Sequence, residues 1–193
     1  MNPSLKDIAH IWFKRASVLL ALIIVLTIAG QVSASGGDGN QIYTAKERQK
    51  IIAPDGQIFW SEEFTIVPSS SRSSSSIDPT AAKGCRSITH GINMYNAIGV
   101  MVWRYSWITD WCFNGTKITS LNPRRVVNIY QPGYSFKGDT RTIQGGVNKW
   151  NYYHLTQGDI CYIDYGSNCA WHTYPTVEQD VNGAGAYYGN AWY

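Results

Sequence analysis

The fold is decided by a short stretch in the second half of the chain, Val100-Met-Val-Trp-Arg-Tyr-Ser-Trp107. Met101 and three large aromatic rings recur there at every second position, and Arg104 and Ser106 fall between them. Side chains that alternate with a period of two point to opposite faces of an extended chain. The stretch therefore predicts a half-buried β-strand with one aromatic face.

A hairpin signal follows this strand at Asn114-Gly115. Asn-Gly is the residue pair that two-residue hairpin loops prefer, because both positions need a positive φ. Such a loop would pair Phe113 with Thr116. It would also place Trp111, Phe113 and Ile118 on one face, which is the better candidate for the core.

Other short apolar stretches, separated by turn residues, continue to the C-terminus. They predict strands at 88–94, 125–130, 134–136, 152–155, 160–165, 170–174 and 176–181. The separators are Asn122-Pro123, Gln131-Pro-Gly133, Lys137-Gly-Asp139, Gln144-Gly-Gly146, Gln157-Gly-Asp159, Gly166-Ser-Asn168 and Asn182-Gly-Ala-Gly185. Eight or nine strands without a helical period predict an all-β, two-sheet antiparallel β-sandwich, Ig-like or jelly-roll-like, over residues 85–193, with a barrel as the alternative.

The first 34 residues predict a signal peptide. Lys14 and Arg15 precede an apolar run that ends at Gly30, and Val32-Ser-Ala34 supplies the small residues of a cleavage site. The apolar run of fifteen residues falls short of the roughly 20 that a membrane-spanning helix needs. We therefore expect a secreted protein, extracellular or loosely associated with the cell wall, with no membrane span after cleavage.

Residues 35–84 form a polar segment that we expect to be mostly irregular. Thr44-Ala-Lys-Glu47 resembles a capping box and predicts a short helix that ends at Ile52. Pro54-Asp-Gly56 predicts a turn, and 57–67 predicts a pair of strands. The serine run at 69–76 is typical of a flexible linker. The segment could serve as a pro-region, a docking element or a stalk.

Four cysteines, Cys85, Cys112, Cys161 and Cys169, lie in the C-terminal domain. An oxidising compartment makes disulfides their expected state. The stretch between Cys161 and Cys169 reads as a strand, a turn and a returning strand, which favours pairing these two residues. That choice leaves Cys85 to pair with Cys112.

Charge argues against a nucleic-acid partner. The chain has 16 basic and 13 acidic residues, and loss of the signal peptide leaves 13 and 12. A nearly neutral protein lacks the basic surface that neutralises a phosphate backbone.

Several motifs resemble those of a group of small secreted bacterial proteins with no assigned activity. The matching residues are Trp103-Arg-Tyr105, Trp111-Cys-Phe-Asn-Gly-Thr116, Pro132-Gly-Tyr-Ser-Phe-Lys-Gly138 and Asn182-Gly183 with Gly185. The resemblance covers residues 85–193. It implies a secreted β-sandwich and carries no catalytic role to any of these positions.

Motifs for catalysis or metal binding are sparse. His90, His154 and His172 stand apart from one another, without the close spacing of a zinc site, and are more typical of partly buried hydrogen-bonding residues. The sequence predicts no metal and no cofactor. Glu178 and Asp180 are the minority candidates for catalysis, because two positions along a strand would place both carboxylates on one face at about 7 Å.

The excess of aromatic residues is the strongest functional signal, with 20 rings in the 109 residues from Cys85 onward. Trp103, Trp107, Trp111, Phe113 and Trp171 can fill a core. The candidate ligand-binding rings are Trp150, Tyr152, Tyr153, Tyr187, Tyr188 and Trp192. Exposed rings with polar edges suit sugars or proteins. The alternative is that residues 187–193 form a strand that closes the sandwich.

These patterns favour an extracellular binding module that recognises a glycan or a cell-surface protein, without enzymatic activity. A glycan hydrolase that uses Glu178 and Asp180 is the alternative in another class. A small secreted antagonist or toxin is a third reading, which small size and export permit.

Overall fold

The computed structural model describes residues 41–68, 83–164 and 168–193, which form β-strands and no helix. The strands are β1 (Gln41–Ala45), β2 (Gln49–Ile52), β3 (Ile58–Pro68), β4 (Gly84–Asn96), β5 (Met101–Phe113), β6 (Ile118–Ile129), β7 (Tyr134–Gly145), β8 (Asn151–Asp164), β9 (Cys169–Thr173), β10 (Thr176–Asn182) and β11 (Tyr187–Trp192). Without a helix, no membrane-spanning helix is found among these residues.

The strands form two antiparallel sheets. Sheet A has the order β1-β3-β4-β5-β6, and β2 also pairs with β3. Sheet B has the order β11-β10-β8-β7, and β9 also pairs with β8. The predicted all-β fold with two antiparallel sheets is therefore confirmed. The C-terminal stretch forms the edge strand of sheet B, as the alternative reading of these residues expected.

The core lies on the aromatic face of β5. Trp103, Tyr105, Trp107 and Trp111 are almost fully buried, as the period of two predicted. Met101 is only partly buried, and Val102 and Ser106 of the other set are buried as well, so β5 is more deeply buried than the half-buried strand predicted. Ile160, Val177 and Val181 of sheet B are buried in the same two apolar clusters. Trp171, the fifth predicted core ring, is partly buried and packs against the first cluster.

The short helix predicted from Thr44 to Ile52 is wrong, since this stretch forms β1 and β2. The capping box is a local signal, whereas both strands gain backbone hydrogen bonds from the long partner β3. β3 in turn pairs with β4, from Phe59 opposite Asn96 to Ile66 opposite Thr89. Residues 41–68 thus supply three strands of sheet A.

The register predicted for the hairpin at Asn114-Gly115 is also wrong. Phe113 pairs with Ile118, so the connection contains four residues, and a bulge follows Cys112. The side chain of Asn114 accepts the backbone N–H groups of Thr116 and Lys117, which favours the wider turn. Trp111, Phe113 and Ile118 are buried all the same.

Three of the predicted turns lie inside strands. Pro123 lies in β6, where the missing N–H is tolerated because β6 is an edge strand. Gly138 lies at a bulge in β7, with a φ of 145°. Gly158 of β8 lies against the Tyr105 ring, and a Cβ there would approach the ring to 2.7 Å. These residues mark irregularities and close contacts within strands rather than chain reversals.

Both predicted disulfides are confirmed, Cys85 with Cys112 and Cys161 with Cys169. The first joins neighbouring positions of β4 and β5, and the second joins β8 to β9. Neither sheet is linked covalently to the other by these bonds.

Replacing Cys85 and Cys112 by serine is expected to lower the free energy of unfolding by about 3.6 kcal/mol, as loop entropy predicts for 27 residues. The same change at Cys161 and Cys169 opens a loop of only 8 residues and should cost about 2.5 kcal/mol. Urea denaturation of the two double variants checks both values. A larger loss for the second pair would contradict the order.

Two histidines lie buried between the sheets. The Nδ1 atom of His90 is 3.2 Å from Nε2 of Gln179, whose Oε1 accepts the hydroxyl of Thr109 at 2.5 Å. His154 stacks on Trp107 with ring centroids 4.0 Å apart, and neither of its ring nitrogens has a hydrogen-bond partner among the described residues. The expected hydrogen-bonding role therefore holds for His90 and is wrong for His154.

The predicted signal peptide at 1–34 and the serine run at 69–76 lie outside the described residues.

Candidate functional site

A groove of about 300 Å³ lies at one end of sheet B. We call it the ring groove. Its lining residues are Trp150, Asn151, Asp180, Asn182, Ala186, Tyr187 and Tyr188. Three of the six rings predicted to bind ligand thus meet in one place, together with one of the two candidate carboxylates.

Three loops support the ring groove through backbone hydrogen bonds. The N–H of Gly115 donates to the carbonyl of Gly183 at 2.8 Å, and the N–H of Ile118 donates to that of Lys149 at 2.8 Å. The N–H of Gly183 donates to the carbonyl of Trp150 at 2.6 Å. These bonds join the loops around 115, 149 and 183, so the segment that carries Trp150 is held from both sides.

Glycine permits this close approach of the loops. A Cβ at Gly183 would lie 2.5 Å from the backbone nitrogen of Lys117, closer than real Cβ contacts occur. The side-chain oxygen of Asn182 also accepts the N–H groups of Ala184 and Ala186, both at 3.0 Å, which fixes the turn between β10 and β11. Asn182 therefore shapes the groove through its turn.

The rings of the groove differ in their freedom to meet a ligand. Trp150 is 52% exposed and Tyr188 is 57% exposed. Tyr187 is less exposed, because its ring packs edge-on against the core residue Trp111 with centroids 6.3 Å apart. Trp150 and Tyr188 are therefore the two rings that offer open faces.

The two candidate carboxylates lie beside the rings on the outer face of β10. Asp180 is opposite Tyr153 of β8 and Tyr188 of β11. Burial and the nearby carboxylate of Glu178 raise the pKa of Tyr153. Burial, with the negative charge of Glu178, raises the pKa of Asp180. Neither carboxylate has a basic partner among the described residues.

Tyr152 is a correction to the predicted ring set. It is only 2% exposed and belongs to the core cluster with Trp111 and Ile118. Tyr152 and Tyr153 are adjacent on a strand and so face opposite sides of the sheet, and Tyr153 is the one that faces outward. The Tyr152 ring is therefore out of reach of a ligand on the surface.

Trp192, the sixth predicted ring, lies in a different place, an edge cleft of about 240 Å³ between the two sheets. Its lining residues are Lys46, Glu47, Gln49, Ser61, Glu63, Ile92, Asn190, Ala191, Trp192 and Tyr193. Lys46 bonds to Glu63 at 2.6 Å and to the side-chain oxygen of Asn190 at 3.1 Å. Because Lys46, the one basic side chain of its lining, is already bonded to Glu63 and Asn190, the edge cleft is the weaker candidate. Sequence reasoning missed it, since half of its lining comes from the segment expected to be irregular.

A dense polar cluster around Glu62 lies on the outer face of sheet A and was also missed. One carboxylate oxygen accepts from Tyr43, Asn93 and Tyr95, each at 3.0 Å, and the other accepts from Arg48 at 3.1 Å. Burial acts to raise the pKa of Glu62, but these hydrogen bonds outweigh it and hold the pKa below its usual value. Because Tyr43 belongs to β1 and Asn93 and Tyr95 belong to β4, these hydrogen bonds to Glu62 stabilise the contacts of both strands with β3.

No group of three or more His, Cys, Asp or Glu side chains is placed to hold a metal within the parts of the chain that the structure describes.

Comparison with known proteins gives no activity. No family model matches the sequence, and no curated protein matches it. The chain is similar to the crystal structure of the hypothetical protein lmo2686 from Listeria monocytogenes EGD-e, at 17% identity and a TM-score of 0.32. The match covers 81% of this chain and 99% of that one. Like the group that the sequence motifs resemble, that protein is described without an activity.

Proposed function

We propose that the protein is a secreted recognition module that binds an extracellular glycan in the ring groove. The observation that carries the proposal is that two exposed rings, Trp150 and Tyr188, lie beside the carboxylate of Asp180 in one groove. The loops that form this groove are joined by backbone hydrogen bonds. An aromatic face stacks on the apolar face of a sugar, and a carboxylate accepts hydrogen bonds from sugar hydroxyls. Two disulfides are consistent with an extracellular location.

A surface protein fits the groove less well as the ligand. The fully buried centre of a protein interface is apolar, with few charged residues. The ring groove instead holds Asp180 and two asparagines among its rings, and no aliphatic side chain larger than Ala186. Polar groups placed among aromatic faces favour a hydroxyl-rich ligand.

Replacing Trp150 or Tyr188 by alanine is expected to weaken glycan binding about tenfold or more, since a central ring contributes more than about 1.4 kcal/mol. The purified, oxidised protein should be tested in pull-downs on cellulose, chitin and peptidoglycan. Tyr130→Ala is the matched control, because Tyr130 is 49% exposed and follows β6 of sheet A. All three variants should unfold at nearly the wild-type temperature, because each ring is half exposed. Retention of every glycan by the two groove variants would overturn the proposal.

Hydrolysis by Glu178 and Asp180 is a second candidate, favoured by the raised pKa of Asp180, which suits a general acid. Their spacing of about 7 Å along the strand falls in the range of inverting glycosidases. The same samples should be assayed for released sugar, with Glu178→Gln combined with Asp180→Asn as the inactive control. Binding without release would leave recognition as the function.

A further inference from the structure

The outer face of sheet B continues beyond the ring groove along β8. Every even-numbered residue of β8 from Tyr152 to Ile160 is buried, whereas the odd-numbered residues are partly or fully exposed. The exposed row is Asn151, Tyr153, Leu155, Gln157 and Asp159. At the usual rise of a strand, this row is about 27 Å long. It therefore exceeds the reach of a single sugar ring.

A second pocket, of about 270 Å³, lies at the far end of this row. We call it the Tyr174 pocket. Its lining residues are Lys137, Gly138, Asp139, Thr140, Gln157, Gly158, Asp159 and Tyr174. Tyr174 is 49% exposed, so its ring resembles those of Trp150 and Tyr188 in offering an open face.

The ring of Tyr174 is held in a defined orientation. It stacks on His172 with an interplanar angle of 6° and centroids 6.0 Å apart. The Nδ1 atom of His172 lies 2.7 Å from a carboxylate oxygen of Asp159, which fixes the imidazole in turn. A ring that is oriented before binding loses little entropy when a ligand stacks on it.

The surface between the two sites is polar. Gln157 lines the Tyr174 pocket and donates a hydrogen bond to the hydroxyl of Thr176 on β10 at 3.3 Å. Leu155 is the one aliphatic side chain in the exposed row of β8, so the face lacks the apolar centre of a protein interface. Of the residues that line the two sites, Lys137 is the single cation, whereas Asp139, Asp159 and Asp180 are acidic. Glu178 adds a further outward-facing carboxylate on β10. This charge disfavours an anionic polymer and favours a neutral or amino-bearing one.

We propose that a single linear glycan chain spans the ring groove and the Tyr174 pocket, running along β8. The inference rests on the proposed function of the ring groove and adds the ligand class, an extended neutral or amino-bearing polysaccharide. Tyr174 acts as a second stacking ring, and the polar side chains between the sites meet the hydroxyl groups of the intervening sugars. A short oligosaccharide fills the ring groove alone.

The test is the dependence of affinity on chain length. β-1,4-linked oligomers of glucose and of N-acetylglucosamine, from trisaccharide to octasaccharide, are titrated into the purified, oxidised protein. We expect the octasaccharide of one series to bind about tenfold more tightly than its trisaccharide, the effect of one additional ring contact. Tyr174→Ala and Tyr174→Leu should remove this gain and leave trisaccharide affinity unchanged. Tyr130→Ala, which changes a ring of equal exposure outside sheet B, should keep the gain.

The outcomes separate this inference from the proposed function. Equal affinity for both lengths, or a gain that survives both Tyr174 variants, would overturn the extended site and leave the ring groove in place. Absence of binding by either series at any length, with no retention on the insoluble polysaccharides, would overturn both. Tyr174→Leu removes the ring but keeps a larger apolar side chain than alanine, so it provides a second test if the alanine variant folds poorly.

Discussion

Lowering the pH from 7 to 4 is expected to reduce the free energy of unfolding by about 3 kcal/mol for each of His90 and His154. Burial lowers the pKa of each imidazole from 6.5 to about 4. Net stabilities of 5–15 kcal/mol are typical of domains, so the combined loss should bring the protein close to unfolding.

The surroundings of both histidines oppose protonation. His90 is 3% exposed, and the positive charge of Lys46 adds to the effect of burial. His154 is fully buried against Trp107, where Arg141 lowers its pKa and Asp139 raises it by a smaller amount. An imidazolium at either position would be a cation with no hydrogen-bonded carboxylate beside it, so the neutral form is favoured.

The direction of the effect follows from the two pKa values of each histidine. In the unfolded chain both titrate near pH 6.5, and in the folded protein near pH 4, so the unfolded state binds more protons between these limits. The stability that the two neutral histidines contribute is therefore fully present above pH 6.5 and is lost as the pH falls toward 4. The lowered pKa values of Glu62 and Asp139 add a further loss only below their usual values of 4.5 and 3.8.

The measurement is urea denaturation at pH 7, 6, 5 and 4. His154→Phe should reduce the slope between pH 6.5 and 5, because an apolar ring can still stack on Trp107 without a proton to bind. Trp150→Phe is the control, since it changes a half-exposed ring that binds no proton and should leave the slope unchanged. A wild-type stability that stays constant from pH 7 to 5 would contradict the prediction.

Replacing Gly189 by alanine is expected to cost about 3 kcal/mol or more of stability. A Cβ at this position would lie 1.8 Å from Cε1 of His90 and within 2.3 Å of both ring nitrogens. The imidazole cannot move aside cheaply, because it lies between the sheets and bonds to Gln179, which also bonds to Thr109 and to the carbonyl of Trp107. Rotating the ring would break this buried network.

Gly84→Ala is the matched control in another strand. Its Cβ would meet the Phe113 ring at 3.3 Å, an approach that a small shift can absorb. Urea denaturation should show a loss of about 1 kcal/mol or less for this variant. In a His90→Ala background, Gly189→Ala should cost much less than in the wild type. Equal costs in the two backgrounds would show that His90 is not the obstacle.

Local patterns in the sequence determined much of the fold. The period of two around Trp103 and Trp107 predicted which face of β5 is buried, since this alternation depends only on the geometry of a single strand. The short spacing from Cys161 to Cys169 predicted the disulfide pairing for the same reason, because a strand and its return bring their ends together. The position of aromatic residues near Gly and Asn, or at the chain end, also predicted that Trp150 and Tyr188 are exposed rings.

The tertiary structure decided the rest, because it depended on partners far away in the sequence. Thr44 to Ile52 is extended only because β3 pairs with it, and the local capping signal carries no information about that strand. Adjacent Tyr152 and Tyr153 had to face opposite sides, but contacts with Trp111 and Ile118 determined which ring is buried. The ring groove forms where the loops around 115, 149 and 183 bond to one another, and backbone hydrogen bonds between distant loops leave no pattern in the sequence.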